Sequence, residues 1–379
     1  MNWSAGAIFV TSRYRYITIS LHLVQRSSSA VSPARSVAFE TLRRVESGAY
    51  ASDLLAHARG LDARDAGLAT EIVFGCLRYR MQLDYMIGRL TNGRTLDVEV
   101  SIVLRMGMYQ LRYLERIPPH AAVSESVELM KRASKASAAP LVNAVLRKVN
   151  RNPVNWPDRA TELSTPPWLL ERWDRQFGAD TAAQMARTFL IPPANYVAST
   201  GRIQDIGSQT IVPLLDIEAG QTMLDLCAAP GNKTAQAIER GAEVTACDLH
   251  LHRLRGLADL NCRRVLLDAT QPLPFSVKFD RVLVDAPCSG TGTLARNPEI
   301  KWRLVPGDLA DLQVRQVSLL RNALGMVKPG GKLVYATCSL EKEENEDVIG
   351  QFPGSWRTER RIPGSDLGDG FFAAVLPFP

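Results

Sequence analysis

The 379-residue sequence predicts an α/β domain with a doubly wound sheet, preceded by an all-helical bundle. Over residues 32–151, apolar side chains recur three or four positions apart, which is the spacing of amphipathic helices. From residue 201 onward, short apolar runs alternate with helical patterns. Two of these runs end just before a cysteine, Cys288 or Cys338. Because ligands of open α/β sheets bind beyond the carboxyl ends of the strands, these thiols indicate an enzyme.

Composition and charge limit the classes of protein to which this chain can belong and the kinds of partner that it can bind. No apolar run reaches the roughly 18 to 20 residues of a membrane span, so we expect a soluble, cytoplasmic protein without a membrane partner. Residues 1–150 contain 20 Lys and Arg against 12 Asp and Glu, whereas the whole chain has a net charge of only +6. This asymmetry predicts a basic module that binds a polyanion, with an ordinary solvated surface as the alternative.

The six cysteines favour a reducing compartment. They contain no CxxC pair and no regular spacing, so neither a disulfide framework nor a metal site is expected. Cys76, Cys247 and Cys262 fall in or beside apolar helical or strand patterns, where a packed and inert thiol is the expectation.

Four segments follow from these patterns. The first acidic residue is Glu40, and residues 1–39, which include a predicted extension over 1–31, carry four Arg and many Ser, a composition typical of an organellar transit peptide. A start codon assigned too early explains the same composition, and we favour that interpretation of this extension. We predict the helical bundle over residues 32–151, a linker with a small helical unit over 152–200, and the α/β domain over 201–379.

Helical periodicity divides the bundle further. The predicted helices span residues 34–46, 50–59, 63–80, 82–88, 98–113 and 122–149. Basic residues such as Lys131, Arg132 and Lys135 lie along them, each of them either a solvated charge or a phosphate contact.

The α/β domain opens with a strand, a turn of small residues and the start of a helix. The strand ends at Asp225, and the turn follows it. The turn contains Cys227, Ala228, Ala229, Pro230, Gly231, Asn232 and Lys233. Small residues let backbone N–H groups and a helix N-terminus approach a ligand, which is typical of a nucleotide-type site, although the G-x-G-x-x-G pattern is absent. The next two strands end at Asp248, which suits hydrogen bonds to a ribose diol, and at Asp268.

The residues around the two cysteines suit chemistry on a pyrimidine ring. The fourth strand leads into Asp285-Ala-Pro-Cys288 and the fifth into Thr337-Cys338-Ser339, so neighbouring strands would bring both thiols and the carboxylate to one cleft. A thiolate attacks C6 of a pyrimidine while an acid stabilises or protonates N3, which makes C5 nucleophilic. After C5 has accepted a methyl group, a second thiol assists removal of the C5 proton.

Three strings of the α/β domain resemble one known family. They are Asp225-Leu-Cys-Ala-Ala-Pro-Gly-Asn-Lys-Thr234, Asp285-Ala-Pro-Cys-Ser-Gly-Thr-Gly-Thr293 with Arg296-Asn-Pro-Glu-Ile-Lys-Trp302, and Ala336-Thr-Cys-Ser-Leu340 with Glu344-Asn-Glu346. These strings are similar to the S-adenosylmethionine-dependent RNA cytosine-C5 methyltransferases. The helical part, including Leu141-Val-Asn-Ala-Val-Leu-Arg147, resembles the NusB-like RNA-binding domain of the RsmB/Sun branch of that family.

The resemblance implies a Rossmann-like class I S-adenosylmethionine-dependent methyltransferase domain preceded by an all-α NusB-like bundle. The implied reaction transfers a methyl group from S-adenosyl-L-methionine to C5 of a cytosine in 16S rRNA, of the cytosine 967 type. The implied partner is RNA that is not the fully assembled subunit, with no DNA, and the protein is expected to be a monomer.

Residue roles are implied in the same way. Cys338 matches the nucleophile that forms the C6 adduct, and Cys288 matches the thiol that assists product release. Asp285 matches the contact to N3 and also counts among the cofactor-binding residues, while Lys233 matches a motif lysine near the cleft. The cofactor residues are then 227–233 for the methionine part, Asp248 for the ribose and Asp268 for the adenine.

Departures from the family pattern and structural alternatives remain open at this point. Asn232 stands where the family usually has a second Gly, and the chain is short by several tens of residues between Tyr196 and Gln204. Asp225 is either a site residue or an organiser of its loop, and residues 341–347 are either functional or a solvated acidic first helical turn.

Four other functions are alternatives to this one. A DNA cytosine-C5 methyltransferase would attack with the Pro-Cys thiol, which the Thr337-Cys338-Ser339 string and the helical bundle argue against. An amino-group methyltransferase would carry an Asn-Pro-Pro-Tyr type motif after the fourth strand, whereas this chain has Asp285-Ala-Pro-Cys288 there. An RNA-binding or antitermination factor with an inactive catalytic domain, or an enzyme for tRNA or 23S rRNA, remains as the alternative.

Overall fold

The computed structural model describes Val31–Pro379, which form one structural unit. Residues 1–30 lie outside the described part, and with them the prediction for the extension over residues 1–31 except at Val31, which is buried in the core of the bundle. No described helix is both long enough and apolar enough to cross a membrane. The same residues contain no group of three or more His, Cys, Asp or Glu side chains placed to hold a metal ion.

The helical bundle is built around one long helix, α5. Its helices are α1 (Pro33–Glu46), α2 (Ala51–Ala56), α3 (Ala63–Arg78), α4 (Arg80–Leu90), α5 (Val98–Tyr113), α6 (Pro119–Arg132) and α7 (Ala139–Leu146). The α5 side chains Ile102 and Met106 are buried in the core, as their helical spacing predicts. Gly75 lets α3 approach α5 closely, because a Cβ atom there would lie 1.9 Å from Tyr109 Cζ.

The sequence predicted α5 with the observed bounds, but the single helix over residues 122–149 is wrong. Helix α6 ends at Arg132, Ser134 adopts a φ of +57°, and α7 begins at Ala139. Pro140 lies in the first turn of α7. Proline fits the start of a helix, where its missing N–H is not needed, and it breaks a helix interior, which explains the interruption.

Three further helices link the bundle to the sheet. They are α8 (Arg159–Glu162), α9 (Pro167–Phe177) and α10 (Ala179–Thr188). Trp173 of α9 is fully buried, and its indole N–H donates to Glu341 Oε1 of the α/β domain over 3.1 Å. The predicted linker region therefore contains a packed helical layer.

The bundle also contacts a short helix of the α/β domain, α14 (Ile300–Arg303). Lys301 is buried there, and its Nζ donates to the carbonyl oxygens of Arg78, at 3.1 Å, and Ser164, at 2.7 Å. Trp302 Nε1 donates to the Leu77 carbonyl at 2.8 Å. The string from Arg296 to Trp302 thus joins the two halves of the molecule.

Within the described residues, seven strands form one sheet in the order β3-β2-β1-β4-β5-β7-β6. The strands are β1 (Thr222–Asp225), β2 (Glu243–Asp248), β3 (Arg263–Leu266), β4 (Phe279–Asp285), β5 (Val327–Thr337), β6 (Arg357–Arg361) and β7 (Phe371–Pro377). The other helices of this domain are α11 (Ile206–Gln209), α12 (Asn232–Glu239), α13 (Leu251–Arg255), α15 (Pro306–Leu324) and α16 (Glu346–Ile349).

The topology of this sheet sets the position of the ligand site. Strands β1 to β5 are parallel, and β7 is antiparallel to both β5 and β6. The strand order reverses between β1 and β4, and ligands of such sheets bind at this switch point. Strands β4 and β5 are neighbours with Asp285 opposite Ala336, which confirms the expectation on which the shared cleft depended. Strand β6 was not predicted from the sequence.

Candidate active site

The loop after β1 is shaped by one glycine with an unusual backbone. Gly231 has a φ of +98°, and a Cβ atom there would lie 2.8 Å from Leu257 Cγ. Only glycine combines this conformation with this close approach. The next residue, Asn232, begins α12, and its side chain donates to the Ile203 carbonyl at 3.1 Å. The asparagine therefore tethers the short segment before Gln204 to the loop.

Asp225 lies beneath this loop and is fully enclosed. Its Oδ2 accepts a hydrogen bond from Thr234 Oγ1 at 2.7 Å, so it does order the start of α12. Its Oδ1 is buried and has no hydrogen-bond partner among the described residues. Burial raises the pKa of Asp225 to about 7. A buried oxygen without a partner leaves an acceptor available for a ligand, so ordering the loop does not use all the hydrogen-bonding capacity of Asp225.

Asp248 ends β2 as predicted, whereas β3 ends at Leu266, so Asp268 lies two residues beyond its strand, and the two carboxylates differ in exposure. Asp248 is buried, and its oxygens accept the backbone N–H groups of Ala229, at 3.3 Å, and His250, at 2.8 Å. Asp268 is exposed, and its Oδ1 accepts from the backbone and hydroxyl of Thr270. A carboxylate has about four acceptor positions, so both retain capacity for ligand hydroxyl or amino groups.

Lys233 joins the β1 loop to the end of β4. Its ammonium group lies 2.6 Å from Asp285 Oδ2 and 5.2 Å from the centre of the Phe371 ring. The structure brings Lys233 and Asp285 together as an ion pair at the switch point.

Cys227 belongs to the same loop after β1. Burial raises the pKa of its thiol well above the usual value, so this cysteine remains protonated.

The two cysteines beyond β4 and β5 meet at the same edge. Cys288 Sγ and Cys338 Sγ are 3.2 Å apart, and both residues are half-buried and therefore reach the surface. The hydrogen bond to Cys338, together with burial, raises the pKa of the Cys288 thiol well above its usual value. Cys76 and Cys247 are buried in the cores, as expected for inert thiols, whereas Cys262 is half-buried.

Sequence reasoning missed the carboxylates behind the cysteine loops. The interpretation of residues 341–347 as a solvated turn is wrong for Glu341 and Glu344, both of which are fully buried. Glu344 accepts from the backbone N–H of Ser289 at 2.8 Å, and Glu341 accepts from Arg172 Nε at 2.9 Å. A cluster of acidic residues after a strand is normally solvated. Only the Glu344-Asn-Glu346 string pointed to this site.

Gly292 is a further residue of the site that the sequence did not single out. Its N–H donates to the Cys338 carbonyl at 2.9 Å, and its carbonyl accepts from Gly370 N at 2.8 Å. A Cβ atom at Gly292 would lie 2.4 Å from the Gly370 carbonyl oxygen. The backbones of the β4, β5 and β7 ends therefore meet too closely for a side chain at this position.

Comparison with known proteins agrees with this arrangement. Residues 212–359 match the 16S rRNA methyltransferase RsmB/F family, and residues 32–151 match the NusB family. The crystal structure of PH0851 superimposes with a TM-score of 0.74 at 21% identity, covering 91% of this chain and 99% of that one, which supports the shared fold.

Two curated relatives extend over most of the chain. The probable ribosomal RNA small subunit methyltransferase B of Bacillus subtilis is 32% identical over 390 residues, covering 84% of this chain and 87% of the relative. The ribosomal RNA small subunit methyltransferase B of Erwinia tasmaniensis is 31% identical over 421 residues, covering 90% and 98%. Both alignments are longer than this chain, so each relative contains residues that this chain lacks. The chain belongs to the RsmB/Sun family of 16S rRNA methyltransferases, enzymes with a NusB-like helical domain that use S-adenosyl-L-methionine as methyl donor.

Proposed function

We propose that this rRNA methyltransferase methylates C5 of a cytosine in 16S rRNA, of the cytosine 967 type, through a covalent bond between Cys338 Sγ and C6 of the base. The observation that carries the proposal is the pair of sulfur atoms 3.2 Å apart, with Asp285 at the same end of the sheet. Methyl transfer to an amino or hydroxyl group requires no thiol. Addition to C6 and its reversal give each of two thiols a separate task.

Cys338 is the attacking sulfur in this proposal. Because the pKa of Cys288 is raised, this cysteine keeps its proton while the Cys338 sulfur, 3.2 Å away, attacks the base. The Cys338 sulfur forms the S–C6 bond as its thiol proton is taken up at N3 of the base, and the electron pair of C5=C6 moves onto C5 and toward N3. The Asp285 carboxylate, paired with Lys233, stabilises the protonated N3 by accepting a hydrogen bond from it.

Cys288 acts in the second half of the reaction. Once C5 carries the new methyl group, the half-buried Cys288 thiol releases its proton to solvent, and its sulfur takes the proton from C5. The electron pair of that C–H bond restores C5=C6, the S–C6 bond breaks, and N3 returns its proton to the Cys338 sulfur. The hydrogen bond between the two thiols is absent while Cys338 is bonded to C6, so the largest cause of the raised pKa of Cys288 is removed at this stage.

The residues of the β1 loop suit the cofactor. Bound S-adenosylmethionine supplies the electrophilic methyl group. Residues 227–233 would hold its methionine part, Asp248 its ribose and Asp268 its adenine. The unpartnered Oδ1 of Asp225 and the small side chains beside Gly231 support this fit. Lys233 would keep Asp285 in place through their ion pair.

The substrate follows from the family and from the charge of the bundle. We propose that residues 32–151 position the RNA, that 201–379 carry the chemistry, and that 152–200 connect them. The RNA would be 16S rRNA before full assembly of the subunit, methylated by a monomer.

Two cysteine variants test the proposal on 16S rRNA. Cys338→Ala should abolish methylation, because no other group forms the C6 adduct. Cys288→Ser should methylate C5 but fail to resolve the adduct, which gives a protein–RNA complex that survives denaturation. Cys262→Ser, a half-buried thiol elsewhere, is the matched control and should behave as the wild type.

The readouts are 5-methylcytosine mapping and denaturing gels. Normal activity in Cys338→Ala would contradict the assignment. A trapped complex with Cys338→Ser instead of Cys288→Ser would reverse the two roles.

A further inference from the structure

We propose that Glu344 is a positioning residue that sets the distance between the two reactive sulfurs. The inference rests on the proposed function, in which both thiols act on one base. It is carried by the hydrogen bonds that the buried Glu344 carboxylate makes with the two loops that contain Cys288 and Cys338.

Glu344 binds the residue that follows each cysteine. Its Oε1 accepts from the backbone N–H of Ser289 at 2.8 Å, and its Oε2 accepts from the hydroxyl groups of Ser289 and Ser339. The serines follow Cys288 and Cys338 directly. One carboxylate therefore holds both loops at equivalent positions.

The two serines repeat the contact of the two cysteines one residue further along. Ser289 Oγ and Ser339 Oγ lie 3.1 Å apart, close to the 3.2 Å between the sulfurs. Each hydroxyl has one proton, and both donate it to Glu344 Oε2, so neither donates to the other. The shared carboxylate is what brings these two oxygens together.

Neighbouring side chains hold the carboxylate and the loops from other directions. Gln316 Nε2 of α15 donates both to Glu344 Oε1 and to the carbonyl of Pro287, each at 2.9 Å. Asn345 accepts from Thr337 Oγ1 at 2.6 Å and donates to the Ser339 carbonyl at 2.9 Å. The residues before and after each cysteine are thus held by the side chains of Glu344, Gln316 and Asn345.

The exposure of these groups distinguishes the residues that hold the two loops from the cysteines that react with the base. Glu344, Ser289 and Ser339 are buried, whereas Cys288 and Cys338 are half-buried. Burying a carboxylate is unfavourable unless its oxygens are well satisfied, and here its four donors are all neutral. The carboxylate lies behind the site, where it acts on the reaction through the loops.

Glu344→Gln tests this role, because glutamine keeps the size but loses the charge and replaces an acceptor with a donor. The adjacent Glu343, bound to Arg172, supplies the matched control Glu343→Gln. We expect Glu344→Gln to lower kcat by roughly tenfold to a hundredfold, the effect of a misplacement of about 1 Å. The KM for S-adenosylmethionine should change less than about twofold, because the β1 loop is not part of this network.

A second measurement reports the sulfur–sulfur distance without RNA. Diamide accepts two electrons and two protons from a pair of adjacent thiols and leaves a disulfide, which peptide mass mapping assigns to Cys288 and Cys338. Glu344→Gln should form this disulfide several times more slowly than wild type and Glu343→Gln. If Glu344→Gln does not fold, as judged by circular dichroism and cofactor binding, the double variant Ser289→Ala with Ser339→Ala takes its place.

The two measurements together decide the matter. Slower methylation with slower disulfide formation supports the positioning role. A wild-type rate in either measurement overturns it. If the wild-type enzyme forms no 5-methylcytosine at all, the proposed function fails, while the disulfide rate still tests whether Glu344 sets the spacing of the thiols.

Discussion

At the scale of single residues, Asp248 shows how a carboxylate serves both its loop and a ligand. It accepts the N–H of Ala229 from the β1 loop and that of His250 from its own turn. These bonds fix the carboxylate at the end of β2, beside the residues proposed to hold the cofactor.

Replacement of this carboxylate should weaken cofactor binding. Asp248→Ala should reduce the affinity for S-adenosylmethionine by roughly 2 to 4 kcal/mol, because charge-assisted hydrogen bonds to two ribose hydroxyl groups are lost. Calorimetry on the folded variant measures this, with Glu243→Ala at the exposed opposite end of β2 as the control. Unchanged affinity in Asp248→Ala would refute the ribose position.

At the scale of elements, α14 joins the bundle to the α/β domain through a buried lysine. Burial lowers the pKa of Lys301 from 10.5 to about 7, with the nearby Arg78 as a second cause. Among residues 31–379, the hydrogen-bond partners of the ammonium group are only the carbonyl oxygens of Arg78 and Ser164. This contact between two parts of the chain is therefore sensitive to protonation.

The sign of this sensitivity follows from the two pKa values. Between pH 7 and 10.5 the unfolded chain binds the proton of Lys301 more strongly than the folded protein, so stability rises with pH in this window. From pH 7 to 9 the wild-type protein should gain roughly 2 kcal/mol of unfolding free energy relative to Lys301→Met.

Urea denaturation of both proteins at the two pH values measures this difference. Lys342→Met, which removes an exposed lysine, should follow the wild-type pH dependence. Parallel pH dependences for wild type and Lys301→Met would show that the lysine contributes no proton linkage.

At the scale of the whole molecule, the surplus of Lys and Arg over Asp and Glu is concentrated in the helical bundle. The structure places Lys131, Arg132 and Lys135 at the end of α6 and just after it, with Lys131 paired to Glu128 and Lys135 to Asp97. Exposed pairs of this kind are weak and screened by salt, so these cations stay available to phosphate groups.

Neutralising the three residues together should weaken binding of 16S rRNA. The slope of log affinity against log salt concentration should fall by up to about 2 to 3 units if all three contact phosphates. Binding of S-adenosylmethionine should not change, because the proposed cofactor site lies in the α/β domain. Filter binding across a salt series tests this. An unchanged slope would mean that these charges form a solvated face, and the RNA-binding surface would then have to lie elsewhere.

The sequence by itself determined the features that depend on residues close together along the chain. Apolar periodicity predicted α5 to the residue, and the small residues after Asp225 predicted the turn at the switch point. The positions of Cys288 and Cys338 after parallel strands predicted their meeting, because parallel strands end at one edge of a sheet. Local spacing carries each of these inferences.

Only the tertiary structure decided which polar groups are buried and what they contact. Glu344 binds a loop 55 residues away in sequence, and Lys301 binds a carbonyl oxygen 223 residues away. In sequence, both resemble ordinary surface charges. Their burial depends on how the elements pack around them, since desolvation and hydrogen-bond geometry are set by residues that the chain brings together only on folding.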